Sequence, residues 1–420
     1  MKHVLFVTYH FPPVGGVSVR RPLRLLRHLP DYGWRSTVLC ADRPAHPHAL
    51  RDRDELENLP PLEGVLRAPA HALGARAGFA AARAAAYLPR RRGLAARIGA
   101  RAARVGDWSG EWLRFPDPYR GWVGAAVDAA ERRMRVDPFD VVFATGPPWS
   151  ALLAGERCAR RLDLPLVADL ARDWTTGAKP SGPRARRRER LLLQRATTVT
   201  AASEGLAARL LALRGDADEG RIRLLPHGYD PHETPPEDPD LESPDKLVLC
   251  ATGTIGESRA AETLIRAVSR LRSEERELLR VRLVGSVAPY LRRRIRKALL
   301  SDTIELPGFV QHSRALQYQL SADIALLLVD DPHALPAQLA EYAGARRPVL
   351  ALAPEGDASH WIRERGLGWV ESPASPDRVR SRLVDLLTKH RDGLAATTTH
   401  EAPELQAATI AESLSQFLAG

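Results

Sequence analysis

The sequence predicts an α/β protein made of two doubly wound parallel sheets in tandem. Three observations predict it. Short apolar runs alternate with helix-period segments along most of the chain. Residues 231–246, PHETPPEDPDLESPDK, interrupt that alternation with a Pro- and acid-rich composition typical of a linker. The 420 residues are too many for one hydrophobic core. Strand–helix alternation implies parallel sheets covered on both faces, with ligands beyond the carboxyl ends of the strands. Two such sheets facing each other enclose a cleft.

Taken in order, residues 2–8 (KHVLFVT) read as a buried strand and YHFPPVGG as a loop. VSVRRPLRLLRHL is a helix with an apolar stripe at Val19, Leu23, Leu26 and Leu29. STVLCA is a second strand. Residues 45–120 are irregular, with an Arg/Ala-rich stretch, LPRRRGLAARIGARAARVGDW, ahead of LRFPDPYRGWVGAAVDAAERRM. FDVVFATG, LPLVADL and TTVTAAS are strands, with PPWSALLAGERCARRL and RARRRERLLLQRA as the helices between them. EGLAARLLAL is a helix and IRLLPHG closes the half. After the linker, strands are expected at KLVLCATG, VRLVGSV, TIELPGF, IALLLVD, RPVLALA and GWVES, with helices between and a last helix at about 402–418. The expected domains are residues 1–235 and 236–400, with the segment 402–420 packing back on the first.

Composition narrows the class. Hydrophobic residues are 44% and charged residues 27%, ordinary for a globular chain. The formal charge of +10 suits an anionic partner. However, only 5 of the 61 basic residues are Lys, and with abundant Ala this is the mark of a GC-rich genome, so the charge weighs little. Cys40, Cys158 and Cys250 lie in or near apolar runs without C-x-x-C spacing, which argues against disulfides and zinc. The N-terminal apolar run is too short for a signal peptide, and no stretch reaches a bilayer-spanning length. A cytoplasmic protein, at most peripheral to a membrane, is expected.

Three places could hold a ligand. LVLCATGTIGESRAAETLIRAV, residues 247–268, is a strand turning through Gly253 and Gly256 into a helix at about Ser258. Free N–H groups at a helix N-terminus attract anions, and Arg259 in the first turn adds a guanidinium. An ordinary turn with a surface arginine fits the same residues. Gly15 and Gly16 stand at the equivalent place after the first strand. There is no G-x-G-x-x-G and no ribose-binding acid about twenty residues on, which disfavours a dinucleotide oxidoreductase. Glu341, late in a helix ending at Gly344, could accept hydrogen bonds from two ribose hydroxyls, or pair as a solvated residue with Arg346 or Arg347. His10, His227 and His333 share no ligand spacing, and the D-x-D of Asp238 and Asp240 lies in the linker, so no metal is expected. The Arg-rich stretches read as solvated helix faces before they read as nucleic-acid or lipid contacts.

The pieces YHFPPVGGVSVRRPLRLLRHLPDYGW, FATGPPWSALLAG, LPLVADLARDW, VTAASEGLAARL, LLPHGYD, GTIGESRAAETLIRAV, VRLVGSV, IELPGFVQH, ADIALLLV and PAQLAEYAGARRPVLAL recur in order and at matching spacing over nearly the whole chain. Together they resemble the family 4 glycosyltransferases, retaining enzymes of the GT-B fold. That resemblance implies two Rossmann-like domains facing across a cleft. It implies donor binding by Gly15, Gly16, Gly253, Thr254, Arg259, Gln338 and Glu341, with Glu341 on the ribose and Arg259 in the place of a diphosphate-binding Lys. Arg259 and His333 become the candidate catalytic residues, and His10, Arg172 and Asp173 the acceptor side. The chain departs from the family where Thr254 replaces an Arg, His333 replaces a Glu, and Gln338 stands where relatives often have Lys. Asp330 and Asp331 are the candidates to stand in for the missing carboxylate. The segment usually read as RDPW is ARDW here.

The function implied is retaining transfer from a UDP- or GDP-sugar, without cofactor or metal, to a small acceptor in antibiotic-type natural-product biosynthesis. No recognisable pair of carboxylates supports double displacement, so a front-face mechanism is favoured. Trp108, Trp112, Phe115, Tyr119 and Trp122 suit stacking on an acceptor. The alternatives are a cell-envelope or lipid-linked glycan acceptor, with basic helices touching the membrane, and a catalytically inactive auxiliary subunit. No nucleic-acid partner is expected, and the state is a monomer or homodimer.

Overall fold

The computed structural model describes residues 1–42, 52, 54–57, 59–70, 116–172, 174–175, 182–215, 219–256, 258–393 and 402–420. Two parallel sheets organise them. The first comprises β1 (Lys2–Val7), β2 (Trp34–Ala41), β3 (Gly64–Ala68), β4 (Val141–Gly146), β5 (Leu166–Leu170), β6 (Thr198–Ala201) and β7 (Ile222–Leu224). Its order is β3-β2-β1-β4-β5-β6-β7. The second comprises β8 (Leu247–Thr252), β9 (Leu279–Val284), β10 (Ile304–Gly308), β11 (Ile324–Leu328), β12 (Val349–Leu352) and β13 (Gly368–Glu371). Its order is β10-β9-β8-β11-β12-β13. All pairings are parallel. In each sheet the winding reverses beside the first strand, at β1/β4 and β8/β11, which is where open α/β sheets bind ligands.

Helices of eight or more residues, among those described, are α1 (Val17–His28), α2 (Val123–Met134), α3 (Trp149–Leu162), α4 (Pro183–Arg195), α5 (Glu204–Arg214), α6 (Arg259–Ser269), α7 (Pro289–Lys297), α8 (His312–Leu320), α9 (Ala337–Gly344), α10 (Asp357–Glu364), α11 (Pro376–Arg391) and α12 (Ala407–Ala419). The period of two along β1 sorts its side chains into two cores. Leu5 and Val7 join α2 and α3, whereas Val4 and Phe6 join α1 and the C-terminal helix α12. Ile410, Ala411, Leu414 and Leu418 seat α12 in that second core. Each fully buried Leu, Val or Phe contributes about 1.5–3 kcal/mol, so α12 is an integral layer of the first half. The second sheet is filled likewise: Leu247 and Leu249 pack with α6 and α11, and Val248 and Cys250 pack on the opposite face.

The chain crosses between the halves twice, and the crossings touch. The Tyr229 N–H donates to Leu405 O at 2.9 Å, and the Ala407 N–H to Tyr229 O at 2.8 Å. Gly344, at the end of α9, lies flat on the Tyr229 ring, where a Cβ would sit 2.4 Å from a ring carbon.

Two sequence expectations change here. The segment 45–120 contains β3, a five-residue, half-exposed edge strand too weakly patterned to be seen. Trp122 is core, not acceptor wall: it is buried edge-on to Tyr9, with ring centroids 5.4 Å apart. Tyr119 stacks on that same Tyr9. Trp108, Trp112, Phe115 and the Arg/Ala-rich stretch lie outside the described residues. The three cysteines are free and buried, and burial pushes each thiol up to about 12.

Candidate active site in the interdomain cleft

Between the carboxyl ends of the two sheets lies a cleft of about 480 Å³ lined from both halves. The first half supplies the loop after β1. Gly15 and Gly16 lead into α1, and Gly16 has φ +111°, which only glycine adopts without strain. His10 lies in the same lining, with Nδ1 3.1 Å from Ser18 Oγ.

The second half supplies Gly253 and Gly285, at the ends of β8 and β9, the inner steps of a staircase of three glycines that continues behind the lining to Gly308 of β10. Gly308, Gly285 and Gly253 have φ of +84°, +125° and +112°. Gly285 N–H donates to Gly308 O at 2.8 Å, and Gly253 N–H to Val284 O at 2.9 Å. The packing is tight: a Cβ on Gly285 would lie 2.0 Å from Gly253 O. Absent side chains leave backbone at the cleft surface, which lets a bulky anionic ligand approach peptide groups closely. The helix α9 begins in the lining with Ala337 and Gln338, and no side chain caps it. Its N-terminal amides and dipole therefore favour negative charge at the same place.

Glu341 lies one turn further along α9 and also lines the cleft. Its Oε1 accepts from Arg24 Nη2 at 3.0 Å and its Oε2 from Gln319 Nε2 at 3.3 Å. Burial would raise this carboxyl, but the Arg24 charge, helped by His312 and Arg20, holds it below the usual carboxylate range. Glu233 is treated the same way: burial raises it, and Arg24 and His312 lower it further than they are opposed. In the first half, Arg21 grips both oxygens of buried Asp169 at 2.7 and 2.8 Å, and Thr145 and Thr200 donate to the same carboxylate. Arg21 also donates to Leu225 O and Pro226 O. That fixes the start of the crossing segment and with it His227, which lines the cleft. Burial, followed by the Arg21 charge, drives His227 down to about 3.

The structure thus brings Gly15, Gly16, Gly253, Thr254, Gln338, Glu341 and His10 into one lining. Arg259 is placed elsewhere. It is exposed and opens on a separate hollow with Ser258, Glu262 and Pro373. The first amides of α6 are also already used: Arg259 and Ala260 N–H donate to Asp330 at 3.2 and 2.9 Å, and Ser258 Oγ accepts from Ala261. The turn that the sequence marks for an anion is closed by the protein's own carboxylate. His333 is exposed, its N–H bonded to Asp331, and it is not in the cleft lining. Arg172 is exposed with its guanidinium 5.9 Å from the Trp149 ring centroid, and Asp173 lies outside the described residues. Sequence reasoning missed Arg20, Arg21, Arg24, Gly285, His312 and Gln319, all of which line the cleft. In the sequence these arginines sit beside the leucine stripe of α1 and carry no mark that sets them apart from the many others.

Comparison with known proteins gives the cleft its class. Residues 14–233 match the model of Glycosyltransferase Family 4, and residues 235–400 match Glycosyl transferases group 1. No curated protein matches the chain. Among solved structures, HepE of Anabaena is 15% identical with a TM-score of 0.67, each chain being covered completely. Sucrose-phosphate synthase of Thermosynechococcus elongatus is 14% identical with a TM-score of 0.66, over 100% of this chain and 98% of that one. WaaG, a glycosyltransferase involved in lipopolysaccharide biosynthesis, is 15% identical with a TM-score of 0.60, over 99% of this chain and 100% of its own. With paired sheets of the GT-B fold and family models matching both halves, the chain belongs to glycosyltransferase family 4, the retaining, nucleotide-sugar-dependent type.

Proposed function

We propose that the protein transfers a hexose from a UDP-sugar to a cell-envelope or lipid-linked glycan. The observation that carries the donor reading is the convergence, in one cleft, of the glycines Gly15, Gly16, Gly253 and Gly285, an uncapped helix N-terminus and a largely buried carboxylate. Glu341 takes the ribose hydroxyls, as an ionised carboxylate accepts from two donors. The amides at Gly15, Gly16 and the start of α9 take the diphosphate, with the side-chain-free Gly253 leaving room for it, stabilising charge as the sugar leaves. In a front-face transfer the departing phosphate oxygen accepts the proton of the attacking hydroxyl, so no protein base is required. Arg259 joins the diphosphate only if its side chain turns out of its present hollow, and His333 has no role assigned.

The UDP choice follows HepE, whose solved complexes hold UDP, glucose and UDP-glucose. The acceptor choice follows WaaG. An antibiotic-type acceptor has no counterpart among the named relatives. The exposed Arg184, Arg186, Arg187 and Arg190 on α4 suit an anionic acceptor surface. The test is transfer from UDP-glucose and UDP-galactose to lipid-linked and soluble oligosaccharides, with the anomeric configuration read by NMR. Retained product on the envelope-type acceptor supports the reading. Transfer only to small aglycones overturns the acceptor assignment.

A further inference from the structure

Resting on that reading of Glu341, we propose that Arg24, from the opposite half of the molecule, is the positioning residue that makes Glu341 a ribose receptor. Arg24 projects from α1 while Leu23 and Leu26 enter the core. Its three nitrogens are spent on two other segments of the chain. Nη1 donates to Gly228 O, Nε and Nη2 donate to Glu233 Oε2 at 3.0 and 2.6 Å, and Nη2 also reaches Glu341 Oε1 at 3.0 Å. Arg24 therefore ties the first half, the crossing segment and α9 of the second half at one point.

For Glu341 the consequence is geometric and electrostatic. Arg24 and Gln319 take one lone pair on each oxygen, and Gln319 is itself fixed by Thr252 Oγ1 at 2.8 Å. The remaining lone pairs are available to hydroxyls of a ligand in the cleft. No other cation is paired with Glu341 among the described residues. Without Arg24, Glu341 is a largely buried carboxylate that has lost its ion-pair partner and lies near a second one, Glu233, with only the more distant His312 and Arg20 to offset it, so the group is driven to protonate or turn away. An ammonium supplies charge but not the fork that reaches Glu233 and Glu341 together. The contact joins residues from the two halves, so nucleoside recognition depends on their being closed on each other.

The test compares the binding of UDP and 2′-deoxy-UDP to the whole chain by calorimetry, in wild type, Arg24→Met and Arg24→Lys. Wild type should prefer UDP by about tenfold. Arg24→Met should bring that preference within about twofold, chiefly by weakening UDP, and Arg24→Lys should restore part of it. With UDP-glucose turnover as a second readout, KM should rise more than kcat falls, since ribose contacts do not change in the transition state. If Arg24→Met retains the tenfold preference, or weakens both ligands equally, Arg24 does not act through Glu341 and the proposal is overturned. If Arg24→Met does not fold, an unchanged preference in Arg24→Lys overturns it equally. A wild type indifferent to the 2′-hydroxyl removes the ribose role of Glu341, and the proposal with it. A wild type that binds neither nucleotide removes the donor reading itself.

Discussion

At the scale of single residues, the cleft is governed by which charges are already paired. Glu341 is largely buried, ionised and only half-occupied by Arg24 and Gln319. Glu341→Gln keeps the shape and one acceptor but loses the charge, and its amide nitrogen faces a donor. We expect KM for the UDP-sugar to rise about tenfold or more, roughly 1.4 kcal/mol, with a smaller change in kcat. Its effect and that of removing the 2′-hydroxyl should not add; full additivity would show that the two groups do not touch. Arg259 is the opposite case, an exposed side chain beside a helix end already capped by Asp330. If it swings over onto the diphosphate, Arg259→Ala weakens UDP binding by roughly 1.5–3 kcal/mol; unchanged affinity leaves it a surface residue. Glu341 was legible in the sequence because it keeps its spacing to Gly344 and Pro348. Its partner was not, because Arg24 is 317 positions away and pairs with it only through the fold.

At the scale of elements, the glycine staircase decides what the second half can hold. Gly285 combines a φ of +125° with a Cβ position 2.0 Å from Gly253 O. Gly285→Ala must push the β8 turn away as well as adopt a left-handed backbone, which alone costs about 1–3 kcal/mol. A lower Tm together with lost UDP binding is expected; a variant with wild-type Tm and affinity would mean that the staircase is not rigid. Eleven of the thirteen strands were read as apolar runs, most clearly the inner ones, which a doubly covered parallel sheet buries on both faces; β7, read only as the segment that closes the first half, is an edge strand with Arg223 and Leu224 exposed. The edge strand β3, mostly half-exposed, lacked that signal. The turn at Gly253 was found, but its neighbour Gly285 was not. One glycine after an apolar run looks like any turn until the register sets the two strand ends side by side.

At the scale of the whole molecule, the two halves meet through largely buried charge. Arg24 bridges to Glu341, the His312 N–H donates to Asp52, and His312 Nε2 lies 3.2 Å from Glu233. The stability contributed by Glu233 and Glu341, both held below the usual range, is present above the unfolded value of 4.5 and is lost as pH falls below it. His227 acts at higher pH. Its folded value is about 3 against 6.5 unfolded, so in that window the unfolded chain binds a proton the folded chain refuses. Stability should fall as pH drops from 6.5, and His227→Gln should flatten the decline down to about 4.5 while leaving the steeper loss below it. An unchanged slope in the variant would place the proton uptake elsewhere. The sequence announced two domains through its acidic linker, but not this ionic joint, whose members come from five separate segments.

The most direct measurement is the thermal unfolding of the intact protein with UDP, GDP and ADP across a concentration series. A ligand held by the folded cleft alone adds RT ln(1 + [L]/Kd), about 2.7 kcal/mol at a hundred times Kd. The account predicts a concentration-dependent rise in Tm with UDP, reduced in Glu341→Gln and absent with inorganic phosphate. A Tm indifferent to every nucleoside diphosphate at millimolar concentration would contradict it and leave the cleft of an inactive relative.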